Sequence, residues 1–172
     1  LLGAMRHRYF VLACAQPMAS SGSTVSRARQ LPAYVASTVW SIYVAWLILA
    51  PEQLVRWDRW TVSHWLGDLL GWIAIPILGA AIWLFWFSHD TIGRYWSIRV
   101  ELKAEHRLVT EGPYRYIRHP LYTALFVGYL GTMLALQSWA LVAWFPAFVL
   151  SYVLFANEEE RVMEGGFQEA YR

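Results

Sequence analysis

The chain has little charge and almost no cysteine. Asp, Glu, Lys and Arg make up 15% of its 172 residues, whereas a soluble domain usually carries about a quarter. The single cysteine, Cys14, excludes a disulfide within the chain and a metal site built from cysteines. A net charge of +2, without a basic stripe interleaved with aromatic residues, argues against a nucleic-acid partner. Motifs of soluble nucleotide and zinc sites, such as GxGxxG, the P-loop and HExxH, do not occur.

Apolar and aromatic residues fill the chain instead. Hydrophobic residues make up 58% of it, and eleven are Trp, a side chain that favours membrane interfaces. Four uncharged runs cover residues 31–50, 69–87, 121–136 and 138–156. A helix needs roughly 20 apolar residues to cross the hydrocarbon, and the third run reaches that length if His119-Pro120 forms its first turn. We therefore predict an all-α integral membrane bundle of four spans, or five if residues 1–30 contribute one, followed by a separate C-terminal helix.

The positive charges are unevenly distributed between the runs. Residues 88–119 hold six Lys/Arg, the connection between the first two runs holds only Arg56 and Arg59, and the turn at 137–138 holds none. Because an excess of Lys and Arg marks cytoplasmic loops, both termini and the segment at 88–119 are predicted to be cytoplasmic. The predicted organisation is an N-terminal arm (1–30) followed by one membrane domain (31–172).

Two polar stretches remain for chemistry, at 88–122 and 157–172. His119 and Tyr122 are three residues apart and would share one face of a helix that begins at Pro120. The start of such a helix favours a carboxylate or a phosphate, and Arg115 and Arg118 add positive charge beside it. Singly, such residues are ordinary membrane flanks, where Arg snorkels and Tyr lies at the interface. Their order in the chain is what indicates a site.

That order resembles a known family. The stretch from His106 to Tyr122, HRLVTEGPYRYIRHPLY, is similar to the signature of the isoprenylcysteine carboxyl methyltransferases and related phospholipid methyltransferases. The acidic run Glu158-Glu-Glu160 and the sequence from Phe167 to Tyr171 resemble the Glu-rich helix start and F-G-x-x-Y sequence that follow the last span in that family. The resemblance covers residues 88–172.

The resemblance implies S-adenosylmethionine as cofactor and no metal. It implies cofactor contacts from nine residues: Arg99, His106, Leu108, Val109, Tyr114, His119, Tyr122, Glu159 and Glu160. It implies catalytic roles for Arg118, His119 and Glu159, and substrate contacts from Arg115, Arg118 and Arg161. Where eukaryotic relatives place a substrate-binding arginine, this chain has Phe155.

The expected reaction is methyl transfer to a lipophilic acceptor drawn from the bilayer, by default the carboxylate of a C-terminal prenylcysteine. A phospholipid, or a small lipophilic thiol or acid, is the alternative acceptor. Two other interpretations remain open. One is an NADPH enzyme of the sterol reductase type, which shares an Arg-His-Pro motif. The other is a non-enzymatic scaffold whose basic loop binds anionic lipid. Leu121 stands where the reductases have Asn, and the scaffold leaves the His/Tyr spacing and the acidic tail unexplained.

Overall fold

A computed structural model describes residues 27–49, 58–59, 63–93 and 109–167. These ranges contain four α-helices and one short 3-10 helix, and no strand. The α-helices are α1 (Arg27–Leu49), α2 (His64–Ile92), α3 (Pro120–Leu136) and α4 (Trp139–Phe167), and the 3-10 helix, Gly112–Arg115, lies between α2 and α3. The predicted all-α architecture is confirmed.

Three of the helices are long and apolar enough to cross a membrane: α1, α2 and α4. The remaining helix, α3, is also apolar but has only 17 residues, which gives it a length of roughly 25 Å. Their outer faces carry large exposed apolar side chains, such as Ile82, Trp83 and Trp86 of α2, as expected for surfaces in contact with lipid. The chain is an integral membrane protein. A fifth span would fall within residues 1–26, outside the described part.

The start of α3 is the one the sequence predicts. Pro120 occupies the first turn of α3 and is buried. Proline suits this position because the first turn of a helix needs no backbone N–H donor. The end of α4 differs from the expectation of a separate tail helix. Glu158, Glu159 and Glu160 continue α4 without a break, since helical hydrogen bonding does not stop where apolarity stops.

Two helix pairs make up the bundle: α2 packs against α3, and α1 packs against α4. Small residues allow the first pair to approach closely. A Cβ added at Gly131 would lie 2.9 Å from the Leu78 side chain, and one added at Gly128 would lie 3.6 Å from the Cβ of Ala81.

Aromatic rings fill the space between α1, α3 and α4. The rings of Tyr129 and Phe148 are fully buried with centroids 4.6 Å apart, and Trp40 contacts both. The Tyr129 hydroxyl donates to the carbonyl of Leu141 at 2.8 Å. A ring cluster with its polar tip satisfied inside the protein fixes how the two helix pairs meet.

One end of the bundle is fastened by Asp58. Its carboxylate accepts hydrogen bonds from the hydroxyls of Tyr43 and Ser138 and from the backbone N–H of Ala140. Arg59 forms an isolated antiparallel bridge with Ser138. The short described piece at 58–59 is therefore held against the start of α4.

The other end gathers the two polar stretches. The start of α1, the end of α2, the 3-10 helix, the start of α3 and the end of α4 meet there. Gly112 lies in the left-handed region, and a Cβ on it would be 2.9 Å from Thr91 Oγ1 at the end of α2. The predicted convergence of the segment before α3 with the acidic stretch is thus observed. The cytoplasmic assignment of this end stays a prediction from the Lys/Arg count.

Candidate functional site

The candidate site is a cluster at the junction of α3 and α4. His119 is the N-cap residue of α3, and its carbonyl accepts the backbone N–H of Thr123 at 3.0 Å. Tyr122 follows on the same helical face, and the two rings stack with centroids 5.3 Å apart. The predicted sharing of one face by His119 and Tyr122 is therefore confirmed.

Two neighbouring carboxylates of α4 complete this cluster. His119 Nε2 lies 3.0 Å from Glu160 Oε1, and His119 Nδ1 lies 3.5 Å from Glu159 Oε2. The Tyr122 hydroxyl donates to Glu159 Oε2 at 2.6 Å, a length typical of a charge-assisted bond. We call His119, Tyr122, Glu159 and Glu160 the His119 cluster.

The electrostatics of the His119 cluster favour a charged imidazole. Burial acts to lower the pKa of His119, but the hydrogen bonds and charges of Glu159 and Glu160 outweigh it, so that the pKa is raised above its usual value. With both ring nitrogens protonated, His119 donates toward one carboxylate on each side. The protonated imidazole of His119 thus holds the carboxylates of Glu159 and Glu160 in place.

Tyr114 provides a buried polar atom without a partner. Its hydroxyl is inaccessible to solvent and makes no hydrogen bond with any residue in the described ranges. Burial, and then the negative charge of Glu159, raise the pKa of Tyr114, so its hydroxyl stays protonated. Since buried hydroxyls normally have partners, this phenol is a donor available to a ligand.

Glu159 has hydrogen-bond acceptor positions that no described residue uses. Both of its contacts use Oε2, and no residue of the described part bonds to Oε1. A carboxylate offers about four acceptor positions, so one side of this group can accept hydrogen bonds from a cationic ligand.

The three predicted substrate arginines lie around the His119 cluster. Arg118 Nη1 is 3.9 Å from Glu160 Oε1, so Arg118 reaches the cluster itself. Arg161 pairs with Glu158 at 2.7 Å, and the Arg115 guanidinium lies over the exposed ring of Tyr116 at 5.6 Å. The structure brings the first arginine to the site and leaves the other two at its rim.

An aromatic wall lies beneath the His119 cluster. Phe155 is buried and meets the rings of Tyr34 and Tyr122 edge to face. Tyr152 is hydrogen-bonded to Ser37 of α1. The contribution of α1 was missed from sequence, where the first span gave no diagnostic signal. Hydroxyl-bearing residues at positions 34 and 37, three apart and so on one face of the helix, were the available hint.

The other predicted site residues have different outcomes. Val109 is half-buried just before the 3-10 helix, and its cofactor contact stays a prediction. Arg99, His106 and Leu108 lie outside the described residues. Within the described ranges, no three His, Cys, Asp or Glu side chains are arranged to hold a metal ion, and the expectation of a metal-free site also stays a prediction.

Three curated proteins are similar to most of the chain. Among curated proteins, the chain is 30% identical over 133 residues to the cobalt-zinc-cadmium resistance protein CzcN of Cupriavidus metallidurans. It is 32% identical over 133 residues to the nickel-cobalt-cadmium resistance protein NccN of Alcaligenes xylosoxydans xylosoxydans. Both matches cover 76% of this chain, but only 56% and 57% of those proteins. The protein YpbQ of Bacillus subtilis is 25% identical over 126 residues, which are 72% of this chain and 71% of YpbQ.

A family profile matches the part of the chain that carries the site. It extends over residues 72–164, just over half of the chain. The matched region runs from α2 through the 3-10 helix and α3 to Glu159 and Glu160 of α4. The chain therefore belongs to the isoprenylcysteine carboxyl methyltransferase family of membrane proteins.

Proposed function

We propose that the chain transfers the methyl group of S-adenosylmethionine to a lipophilic acceptor at the His119 cluster. The observation that carries the proposal is the meeting of His119 and Tyr122 with Glu159 and Glu160 at the membrane edge, beside the unpartnered hydroxyl of Tyr114. Membership of a methyltransferase family supports it.

The residues present fit the chemical groups of this cofactor. Its amino-acid part carries an ammonium and a carboxylate. Glu159 Oε1 can accept from the ammonium, while the Tyr114 hydroxyl can donate to a negative or polar group. The combination of one imidazolium, one arginine and two carboxylates is close to neutral, which suits a zwitterionic group better than a simple anion.

When bound, S-adenosylmethionine supplies an electrophilic methyl group on its sulfonium. The residues of the chain orient the reactants and exclude water. Tyr122 and His119 fix Glu159, and the wall of Phe155, Tyr34 and Tyr152 closes the apolar side. A carboxylate acceptor is already ionised at neutral pH and requires no general base. Among the described residues, Arg118, which lies beside Glu160, is the cation best placed to meet this carboxylate.

Binding of the methyl donor is the direct test. The protein, purified in detergent micelles, is titrated calorimetrically with S-adenosylmethionine and S-adenosylhomocysteine. Glu159→Gln removes the charge that pairs with His119 and is expected to weaken binding roughly tenfold or more, as charged hydrogen bonds are worth about 1.5–3 kcal/mol. Glu164→Gln, an exposed position on the same helix, is the matched control and leaves binding unchanged.

Two outcomes would overturn the proposal. Folded protein that binds neither sulfur compound has no methyl-donor site, and saturable binding of NADPH would favour the reductase reading instead. A further titration with Zn²⁺ or Co²⁺ measures whether the chain binds metals named for the relatives CzcN and NccN.

The acceptor is identified by product analysis. Protein in lipid nanodiscs is incubated with radiolabelled methyl donor and, separately, with a prenylcysteine analogue, an aminophospholipid or a lipophilic thiol. We expect labelled lipophilic product with one acceptor class and, at a methyl-donor concentration below saturation, much less of it when Glu159→Gln protein is used. Equal labelling by wild type and variant would place the chemistry elsewhere.

A further inference from the structure

A cavity of about 490 Å³ lies at the opposite end of the bundle from the His119 cluster. It opens between the start of α2 and the turn that joins α3 to α4. Charged residues stand at its mouth, and an apolar wall runs along α2. The lining used below comprises Arg59, His64, Asp68, Gly71, Trp72 and Ile75.

The frame of this cavity is held by hydrogen bonds. Gln137, in the left-handed conformation and buried, donates from Nε2 to the carbonyl of Gly67 at 2.8 Å. Asp58 and the bridge between Arg59 and Ser138 hold the other side against α4. The mouth is therefore formed by fixed backbone.

Gly71 opens the cavity along α2. A Cβ added there would meet no atom within 4 Å, whereas one added at Gly67 would lie 3.1 Å from Gln137 Oε1. The glycine at 67 serves the contact between helices, and the glycine at 71 leaves a groove. Cavities of about 300–1,000 Å³ are typical of small-ligand sites.

The polar side chains at the mouth have no partners among the described residues. Arg59, His64 and Asp68 make no ion pair or hydrogen bond through their side chains to any residue in those ranges. Trp65, at the start of α2 beside them, is 70% exposed, and exposed Trp at the end of a spanning helix marks the headgroup level of a bilayer. A positive and a negative group thus stand together where lipid headgroups lie.

We propose that this cavity binds one phospholipid whose headgroup carries both a phosphate and an ammonium, as in phosphatidylethanolamine. The phosphate pairs with Arg59, whose guanidinium suits phosphate geometry, and the ammonium pairs with Asp68. An acyl chain lies along the groove past Gly71, Trp72 and Ile75. A purely anionic headgroup would place its charge beside the Asp68 carboxylate. The bound lipid bridges α2 and the α3–α4 turn, independently of methyl transfer.

Lipid binding is measured on delipidated protein in detergent, by native mass spectrometry and by the shift in Tm. Gly71→Leu fills the groove and is expected to abolish the retained lipid and its stabilising shift. Gly79→Leu, on the same helix and also with no atom within 4 Å of an added Cβ, is the matched control and keeps both. Arg59→Gln and Asp68→Asn are each expected to weaken lipid binding roughly tenfold.

The arms of the experiment separate the sources of the headgroup chemistry. Dioleoylphosphatidylethanolamine is expected to bind saturably, with dioleoylphosphatidylglycerol weaker and free O-phosphoethanolamine without effect at the same concentration. Equal binding of both lipids would overturn the ammonium assignment. Retention of lipid by Gly71→Leu at the level of Gly79→Leu would overturn the site.

Discussion

The hydrogen bond from Tyr122 to Glu159 can be measured as an interaction energy. Tyr122→Phe removes the hydroxyl and keeps the ring that stacks on His119. The bond is 2.6 Å long and its acceptor is charged, so it belongs to the class worth about 1.5–3 kcal/mol. Because the Glu159 side chain is 25% exposed and also contacts His119, we take the lower end, about 1.5 kcal/mol.

A double-mutant cycle isolates that energy from other effects of the substitutions. The free energy of unfolding is measured in mixed micelles for wild type, Tyr122→Phe, Glu159→Gln and the double variant. We expect a coupling of about 1–1.5 kcal/mol. Tyr116→Phe, at a ring that is 81% exposed, is the control and should change stability by less than about 0.5 kcal/mol.

The same cycle applied to S-adenosylmethionine binding tests the positioning of Glu159. Tyr122→Phe should weaken the Kd by roughly tenfold, because about 1.4 kcal/mol corresponds to one factor of ten. Strictly additive effects, with a coupling within about 0.3 kcal/mol of zero, would refute the reasoning that this bond holds the carboxylate.

Three further predictions concern the protonation of His119 and the packing of the bundle. The pKa of His119 is raised in the folded state, so its contribution to stability is full below about pH 6.5 and is lost as the pH rises through the folded-state pKa. The Tm should therefore fall on the alkaline side. That fall should be smaller in the His119→Gln variant. Gly131→Ala should destabilise the protein by about 1–2 kcal/mol because the added Cβ would meet the Leu78 side chain at 2.9 Å. Gly128→Ala, whose Cβ would make a normal 3.6 Å contact, should be neutral or stabilising by up to about 1 kcal/mol. Equal effects of the two substitutions on the free energy of unfolding would contradict the packing argument. Asp58→Ala should cost about 2 kcal/mol, since the carboxylate accepts three hydrogen bonds at the start of α4, and an unchanged denaturation midpoint would show that these bonds do not hold the helix.

Local features of the fold were predictable from sequence. The start of α3 follows from the fixed geometry of Pro120, and the shared face of His119 and Tyr122 follows from their spacing. Helix ends were less accessible. Hydropathy marks only the part of a helix that suits hydrocarbon, so the continuation of α4 through the acidic stretch to Phe167 left no apolar signal.

Contacts between distant residues were not accessible from the local sequence: the family resemblance alone assigned His119 and Glu159 to one site, and it gave no sign of the part played by α1. Nothing in the local sequence places Glu159 beside His119, forty residues earlier in the chain. The approach of Tyr34 and Ser37 to α4 depends on α1 pairing with the last helix. Apolar periodicity does not specify which partner a membrane helix chooses, because lipid and protein are similarly apolar.

The length of α3 has a consequence for the bilayer around it. Its 17 residues span roughly 25 Å, against a hydrocarbon thickness of about 30 Å. Because the helix is too short rather than too long, this hydrophobic mismatch is relieved by local thinning of the membrane or by snorkelling of flanking residues. His119, at the end of that short helix, is thereby drawn toward the level where acyl chains begin. A lipophilic molecule in the same leaflet can then reach the His119 cluster by lateral diffusion, and bilayer thickness becomes a variable that sets how often it does so.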